Sequence, residues 1–183
     1  MSQQYELLKT ARLDLFCVTA SELFALGTDK NVFESRGFKN PYGILSEEDL
    51  PRVNRVNDVK ANPSNIRWYF RLIVDRQSNE VVGSISFHAA PDERGMIEIG
   101  LGIAEPKRGN GFATEALKGM WEWATLQPEV KFLRYTVSEE NEPSMAIIRK
   151  FGFPLIGEQI DEIDGPELIY EISVHDYLTR VVE

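Results

Sequence analysis

Cysteine and histidine are scarce in this sequence of 183 residues, which contains one cysteine, Cys17, and two histidines, His88 and His175. A single cysteine excludes a disulfide within the chain, and we interpret Cys17 as a buried core thiol rather than a nucleophile. The two histidines lie far apart in the sequence, and the lone cysteine adds no further ligand to them. We therefore predict no metal site.

Long apolar runs and positive charge are also lacking. No segment approaches the roughly 18 apolar residues of a membrane-spanning helix, and the N-terminus lacks the basic and apolar segments of a signal peptide. We therefore expect a cytoplasmic protein that binds no membrane. With 20 Lys and Arg against 29 Asp and Glu, the formal net charge is −9. This charge disfavours direct nucleic-acid binding, which needs a basic face, and it is compatible with cationic partners such as amines or basic peptides.

The composition that remains is that of a folded globular protein, with 43% hydrophobic and 27% charged residues. Because no repeat or Pro/Gly/Ser-rich linker interrupts the chain, we predict one domain over residues 1–183. Hydrophobic periodicity and turn residues indicate the order β-α-α-β-β-β-α-β-α-β-β, with about seven strands and four helices. We predict an α/β (α+β) fold with a mixed, mostly antiparallel, twisted sheet, in which a crossover through residues 97–137 joins a parallel pair.

The segment EPKRGNGFATEAL, residues 105–117, places two glycines and two cations before the helix with the strongest amphipathic pattern. Gly109 and Gly111 allow successive backbone N–H groups to converge on one point, and the helix start adds N–H donors and partial positive charge. We interpret the segment as a seat for a phosphate or pyrophosphate, which Lys107 and Arg108 would supplement. The alternative is a strand-to-helix turn with two solvated cations. The segment is not a Walker loop, because the sequence contains no G-x-x-x-x-G-K-S/T. It is not a G-x-G-x-x-G motif either, because Thr114 stands where the third glycine would be.

A family resemblance rests on this segment and on two others. Residues 108–113, RGNGFA, resemble the R/Q-x-x-G-x-G/A signature of the GNAT N-acetyltransferases. RGNGFATEAL is similar to the RGxGYATEA form in the Rim-type branch, which acetylates the N-termini of ribosomal proteins. Asn141, Ser144 and KFGF at 150–153 resemble a second motif of that branch, and TARLDL resembles its T-x-R-L-x-L start. The resemblance therefore touches most of the chain.

The resemblance implies the GNAT fold, with a central parallel pair of strands that splays apart, and it implies acetyl-CoA as cofactor with CoA as product. It implies that the pyrophosphate is held by backbone N–H groups, with the Thr114 hydroxyl as a further donor. The residues that would supply these N–H groups are Arg108, Gly109, Asn110, Gly111, Phe112 and Ala113. Leu101 and Ile103 would offer main-chain groups to the pantetheine arm and the thioester carbonyl, beside the weak strand residues Gly100 and Gly102.

Asn141 would face the CoA arm from the other side of that slot, and a helix N-cap is its alternative or additional role. For catalysis the resemblance suggests Glu98 as the base, with a solvent-facing strand glutamate as the alternative. Many GNAT enzymes carry an acidic Tyr where this sequence has Ile148. Ser144 could instead hydrogen-bond the CoA sulfur, or simply bind backbone in the first helical turn.

Only the charge of the sequence bears on the substrate that would accept the acetyl group. The run GEQIDEIDGPE surrounds an expected Asp164–Gly165 turn and would attract cations if it borders the acceptor site; otherwise it is a solvated surface. We predict an N-acetyltransferase acting on a primary amine, either a peptide or protein α-amine or a small-molecule amine. A non-catalytic acyl-CoA-binding module is the alternative, and an NTP-dependent enzyme is disfavoured by the missing Walker lysine. The sequence is compatible with a monomer or a homodimer.

Overall fold

The computed structural model describes residues 7–26, 28–29, 31–46, 50–161 and 165–181. Within these ranges the chain forms eight strands and five α-helices. The strands are β1 (Leu8–Lys9), β2 (Leu13–Cys17), β3 (Arg71–Asp75), β4 (Glu80–Phe87), β5 (Met96–Ile103), β6 (Phe132–Val137), β7 (Leu155–Asp161) and β8 (Gly165–Ser173). The helices are α1 (Ala20–Ala25), α2 (Leu50–Ala61), α3 (Phe112–Thr125), α4 (Glu142–Phe151) and α5 (Val174–Val181), with 3-10 turns at Glu34–Arg36, Pro63–Trp68 and Glu105–Lys107.

The strands form a mixed sheet in the order β1-β2-β3-β4-β5-β6-β8-β7. Its pairs are mostly antiparallel, and β5 and β6 are parallel. The predicted mixed, mostly antiparallel fold with a central parallel pair is therefore confirmed. No helix in the described ranges is long and apolar enough to cross a membrane.

Among the described strands and α-helices, β1 and α5 were not predicted from the sequence. β1 has two residues, too few for any hydrophobic alternation to show. α5 follows β8 directly, and Ser173 caps it: its Oγ accepts from the Asp176 N–H at 3.0 Å and donates to the Asp176 carboxylate at 2.7 Å. This S-x-x-D pattern is a helix-start signal, which the strong β character of the preceding residues concealed.

The chain divides into two compact units, and each is described by itself. Unit one contains the described residues up to Phe87 together with Leu101–Met120, and unit two contains His88–Gly100 and the described residues from Trp121 onward. The single domain over residues 1–183 stays a prediction. The expected Asp164–Gly165 turn includes residue 164, which lies outside the described ranges.

Unit one is organised around a large apolar cluster. Its buried members come from α1, α2, the 3-10 turn before β3, the strands β3 and β4, and the segments that connect these elements. They are Val18, Leu23, Leu26, Phe33, Phe38, Val59, Ile66, Tyr69, Phe70, Leu72, Val74 and Val81. Helix α1 starts with a capping box between Thr19 and Glu22, which fixes how the chain enters this cluster.

Unit two is built around the fully buried indole of Trp121. Its ring centroid lies 4.6 Å from that of Phe151 and 4.7 Å from that of Phe153, and the rings of Tyr135 and Tyr177 each lie 6.3 Å away. Aromatic contacts at these separations add to the free energy gained by burial. The C-terminal part of α3, together with α4 and α5, is thereby fixed against the strand β6.

The parallel pair extends over a short register. Met96 lies opposite Phe132, Ile97 opposite Leu133 and Glu98 opposite Arg134. Within unit two this is where the pairing ends, although β5 continues to Gly100 in that unit and β6 continues to Val137. Glu98 therefore occupies the last position of β5 that pairs with β6.

Candidate active site

The loop between β5 and α3 belongs to unit one and has the backbone conformation that its glycines predict. Gly109 has a φ of +78° and Gly111 a φ of +77°. These left-handed values favour glycine over every other residue, since a Cβ there collides with the backbone. A Cβ on Gly109 would meet no heavy atom within 4 Å, so backbone conformation rather than space requires glycine at this position.

The carbonyl oxygens of this loop are bonded by side-chain donors. Asn110 Nδ2 donates to the carbonyls of Lys107 at 3.0 Å and Arg108 at 3.2 Å. The Asn110 carbonyl accepts from Arg12 Nη1 at 3.0 Å, and the Ile103 carbonyl accepts from Arg108 Nε at 3.1 Å. The N–H groups of Lys107 and Arg108 also donate within the protein, to the carbonyls of Ala104 at 2.8 Å and Glu105 at 3.2 Å. The N–H groups from Gly109 to the first turn of α3 are therefore the candidate donors of this loop. Such a set binds anions.

The two cations of the loop are held by the protein itself. Lys107 Nζ lies 2.7 Å from Glu80 Oε2, and it also lies 5.8 Å from the centre of the Tyr42 ring. The hydrogen bond from Lys107 holds the pKa of the Glu80 carboxyl below its ordinary value, and the same bond raises the pKa of Lys107. Because Lys107 is paired with Glu80, the binding of an anion at this loop would depend chiefly on backbone N–H groups.

Glu115, in the first turn of α3, anchors the loop to the N-terminal segment. Its Oε1 accepts from Thr10 Oγ1 at 2.5 Å and from the Arg12 N–H at 2.6 Å, and its Oε2 accepts from Arg12 Nε at 2.7 Å. Burial would raise the pKa of Glu115, but these hydrogen bonds outweigh it and lower the pKa. The Arg12 guanidinium also lies 4.8 Å over the ring of Phe112, the buried first residue of α3.

The remaining predicted cofactor residues of unit one lie on either side of this loop. Ala113 and Thr114 are half-buried in the first turn of α3, and Leu101 and Ile103 are half-buried at the end of β5. A glycine that sequence reasoning missed also acts here: a Cβ on Gly83 would lie only 2.2 Å from the Gly102 carbonyl oxygen. Gly83 therefore permits the close approach of β4 to β5 at this point.

Glu98 belongs to unit two and is hydrogen-bonded on the last paired position of β5. Its Oε1 accepts from Thr136 Oγ1 and lies 3.3 Å from His88 Nδ1. Burial would raise its pKa, but the hydrogen bonds from His88 and Thr136, together with the charge of Arg134, lower it overall. Glu98 is thus an ionised carboxylate with two side-chain partners rather than a solvated surface glutamate.

His88 lies beside Glu98. From the sequence we had weighed this histidine only as a possible metal ligand. It follows β4, and its backbone N–H donates to the Glu98 carbonyl at 2.8 Å. Its ring passes over Gly100, where a Cβ would lie 2.8 Å from Nε2 and would meet no other residue among its three nearest contacts. Gly100 is therefore explained by the imidazole above it. No motif could have indicated this, because the pairing of two strands creates it.

The second sequence motif also lies in unit two, at the start of α4. Asn141 Oδ1 accepts from the Ser144 N–H at 3.2 Å, so Asn141 is the N-cap of α4, as its alternative role predicted. The Ser144 hydroxyl shares a hydrogen bond with the buried phenol of Tyr135, whose pKa is raised by burial and partly lowered by this bond. Ile148, the position of the missing Tyr, is fully buried. The roles of Asn141 and Ser144 toward CoA stay predictions.

An acidic pocket of about 290 Å³ lies between the paired strands β7 and β8 and the residues that follow β6. Three of its lining side chains are carboxylates, and the others are an amide and three apolar groups. The lining residues are Glu139, Glu158, Gln159, Ile160, Pro166, Glu167 and Leu168. The arrangement of carboxylates around apolar side chains can accept a cation that carries an aliphatic or peptide portion.

Comparison with known proteins gives a family match over most of the chain. The model of the Acetyltransferase (GNAT) domain matches residues 21–154. The uncharacterized N-acetyltransferase YoaA of Bacillus subtilis is 27% identical over 152 residues, which cover 81% of this chain and 83% of that protein. The uncharacterized N-acetyltransferase YjdG of the same organism is 33% identical over 84 residues, which cover 46% of this chain and half of that protein.

Solved structures show the same fold. The crystal structure of a ribosomal L7/L12 α-N-protein acetyltransferase in complex with coenzyme A matches with a TM-score of 0.63. The two chains are 18% identical, and the match covers 92% of this chain and 98% of that one. At this level of identity the similarity concerns the fold alone.

Proposed function

Since the chain belongs to the GNAT family of acetyltransferases, we propose that it transfers the acetyl group of acetyl-CoA to a primary amine by direct attack, with CoA as product. The observation that carries this proposal is the loop before α3. Gly109 and Gly111 of this loop are left-handed, and side-chain donors occupy the carbonyls of Lys107, Arg108 and Asn110. Such a loop is suited to a pyrophosphate, which has only acceptor oxygens to offer.

When bound, acetyl-CoA supplies the activated acyl group. The residues we propose to hold it through backbone N–H groups are Gly109, Asn110, Gly111, Phe112 and Ala113, with the Thr114 hydroxyl and the main chain of Leu101 and Ile103 as further contacts. The N–H of Arg108, expected from the sequence to belong to this set, instead donates to the Glu105 carbonyl at 3.2 Å. Asn141 and Ser144 are proposed as additional contacts from α4. Glu98 is proposed to take part in removing a proton from the amine, since only the neutral amine is a nucleophile.

For the acceptor we propose a cationic amine, with a peptide or protein N-terminus and small-molecule amines as the two candidate classes. The support is the net charge of −9 and the three carboxylates of the acidic pocket. A free amine is an ammonium ion at neutral pH, and acidic surfaces raise the local concentration of such cations. The pocket's apolar side chains fit either an alkyl chain or a peptide side chain.

Calorimetry followed by a thiol-release assay tests the proposal. Acetyl-CoA and CoA are each titrated into the protein with ATP as a comparison ligand, and thiol release is then measured over a panel of peptides and small amines. We expect binding of both CoA forms and amine-dependent thiol release. ATP binding without CoA binding would refute the assignment of the loop. CoA binding without thiol release over the whole panel would instead indicate the non-catalytic acyl-CoA-binding module.

A further inference from the structure

His88 and Glu98 form a pair that differs in access to solvent. Half of the His88 side chain is exposed, at 49%, whereas only 16% of the Glu98 side chain is exposed. The carboxylate is already occupied by Thr136 and faces His88 Nδ1. An incoming amine or a water molecule therefore reaches the imidazole more readily than the carboxylate behind it.

We propose that His88 is the base that accepts the proton of the acceptor amine, and that Glu98 is the residue that positions its imidazole. This inference rests on the proposed acetyl-transfer function. A carboxylate beside Nδ1 favours the tautomer in which Nδ1 carries the hydrogen. The lone pair then lies on Nε2, the nitrogen on the far side of the ring from Glu98.

Gly100 leaves the space that the His88 ring occupies. The three atoms that a Cβ at Gly100 would meet are Nε2, Cδ2 and Cε1 of His88, at 2.8, 3.6 and 3.8 Å. The ring therefore reaches from the Glu98 side chain across the next outward position of β5. Gly100 directly precedes Leu101, the first residue of β5 for which we propose a contact to the acyl donor.

The contacts of Glu98 keep this carboxylate ionised. Burial would raise its pKa, but the hydrogen bonds from His88 and Thr136 lower it, and the charge of Arg134, opposite Glu98 in the parallel register, lowers it further. Arg134 does not replace His88 as a partner, because its Nε and Nη2 donate to Glu171 Oε2 at 2.9 and 2.7 Å. An anionic Glu98 stabilises the imidazolium that forms when His88 accepts a proton.

The proton balance assigns His88 one defined step. An ammonium acceptor must lose one proton before its nitrogen lone pair can form the new C–N bond. Nε2 accepts that proton and releases it to solvent. A second proton leaves the nitrogen as the C–S bond breaks, and it ends on the sulfur as a thiol. One ammonium ion and one thioester thus give one amide, one thiol and one free proton.

The first test compares His88→Gln with His175→Gln, which changes the exposed second histidine in α5. We expect His88→Gln to lower kcat by about 10²-fold or more, as loss of a general base does, with CoA affinity unchanged. The acidic limb of the wild-type pH–rate profile should disappear in this variant, and His175→Gln should retain the wild-type rate and profile. A His88→Gln enzyme with wild-type kcat and pH profile would overturn the proposal.

Gly100→Ala serves as a second variant that keeps the imidazole. Its Cβ would press on the His88 ring, and a displacement near 1 Å costs up to about 10²-fold in rate. Backbone conformation does not oppose this change, because Gly100 is not among the glycines with positive φ. A Gly100→Ala enzyme with unchanged CoA affinity and unchanged kcat would argue against the imidazole as the base.

The histidine tautomer provides a readout that needs no acceptor. Nitrogen NMR under conditions where the imidazole is neutral should show His88 protonated on Nδ1. The Glu98→Gln variant should weaken that preference. The His175→Gln variant serves to assign the signals of the two histidines. A His88 protonated on Nε2 would overturn the proposal even in an active enzyme. An enzyme that binds CoA and acetylates no amine would refute the proposed function itself, whatever the tautomer shows.

Discussion

The loop before α3 and the pair formed by His88 and Glu98 of β5, called the β5 pair below, have different parts in the proposed chemistry. They also use different chemical groups. The loop presents backbone N–H groups, and its side chains serve to hold its carbonyls, as Asn110 and Arg12 do. The β5 pair presents side chains, and its backbone serves to bring His88 beside Glu98. A site made from backbone tolerates exchange of most side chains but not of its glycines. A site made from side chains has the opposite sensitivity, and variants can separate the two.

Replacing a loop glycine should have the largest effect. Gly111→Val forces a branched residue to a φ of +77°, which costs on the order of 1–2 kcal/mol and displaces the N–H groups of the loop. We expect CoA affinity to fall by at least about tenfold, the equivalent of 1.4 kcal/mol, as measured by calorimetry. Gly37→Val is the matched control: it has a φ of +78°, open space for its Cβ and the same unit, but lies outside the loop. Equal loss of CoA affinity in both variants would contradict a specific role for the loop.

Loosening the anchor of the loop should have a smaller effect. Glu115→Gln removes the charge that accepts from Thr10 and Arg12. We expect the free energy of unfolding to fall by about 1–2 kcal/mol, since hydrogen bonds to charged groups contribute about that much, and CoA affinity should fall with it. Urea denaturation and calorimetry measure the two changes. Glu142→Gln is the control, because its ion pair with Arg149 is long, at 3.9 Å, and exposed. If the free energy of unfolding fell as much in Glu142→Gln as in Glu115→Gln, the result would contradict a stabilising role specific to Glu115.

The smallest expected effect is the acid sensitivity of the β5 pair. The pKa of Glu98 is lower in the folded protein than its ordinary value of 4.5. Its contribution to stability is therefore complete above that ordinary value and is lost as the pH falls through the lowered folded pKa. Urea unfolding at pH 6 and at pH 3 should show a smaller acid-induced loss in Glu98→Gln than in the wild type. Glu140→Gln, an exposed glutamate in the same unit, should leave the loss unchanged. Equal losses in the wild type and Glu98→Gln would contradict the stabilising contacts of Glu98.

Much of the fold could be predicted because its signals are local. The helix α3, the three consecutive strands β3 to β5 and the parallel crossover each follow from periodicity and turn residues within a short window. Predictions failed where the window was too small or ambiguous. The segment IRWYFRLIVD, expected to be a strand from Ile66, forms a strand only from Arg71, because Pro63–Trp68 forms a 3-10 turn with Asn62 as its cap. The helix α5 was not predicted, because it directly follows β8 and the strand pattern of β8 concealed the signal for the start of the helix.

The candidate site divides in the same way. The TARLDL segment matched a family pattern in the sequence, but the reason for its residues lies 103 to 105 positions away, at Glu115. His88 could not be recognised, because its partners belong to neighbouring strands. Lys107 was expected to support a phosphate, whereas it pairs with Glu80 across the fold of unit one.

By itself the sequence determined the secondary elements with clear periodicity, the left-handed loop before α3 and the family, since glycine conformation and helical or strand periodicity act over a few residues. Tertiary structure decided which side chains meet. A backbone hydrogen bond places His88 beside Glu98, and β6, the parallel neighbour of β5, brings Thr136 to the same carboxylate. The packing of α3 against Thr10 and against Leu15 of β2, at Gly119, lets Thr10 and Arg12 reach Glu115. Strand register sets such contacts, and register is fixed by the burial of whole sheet faces rather than by any short segment.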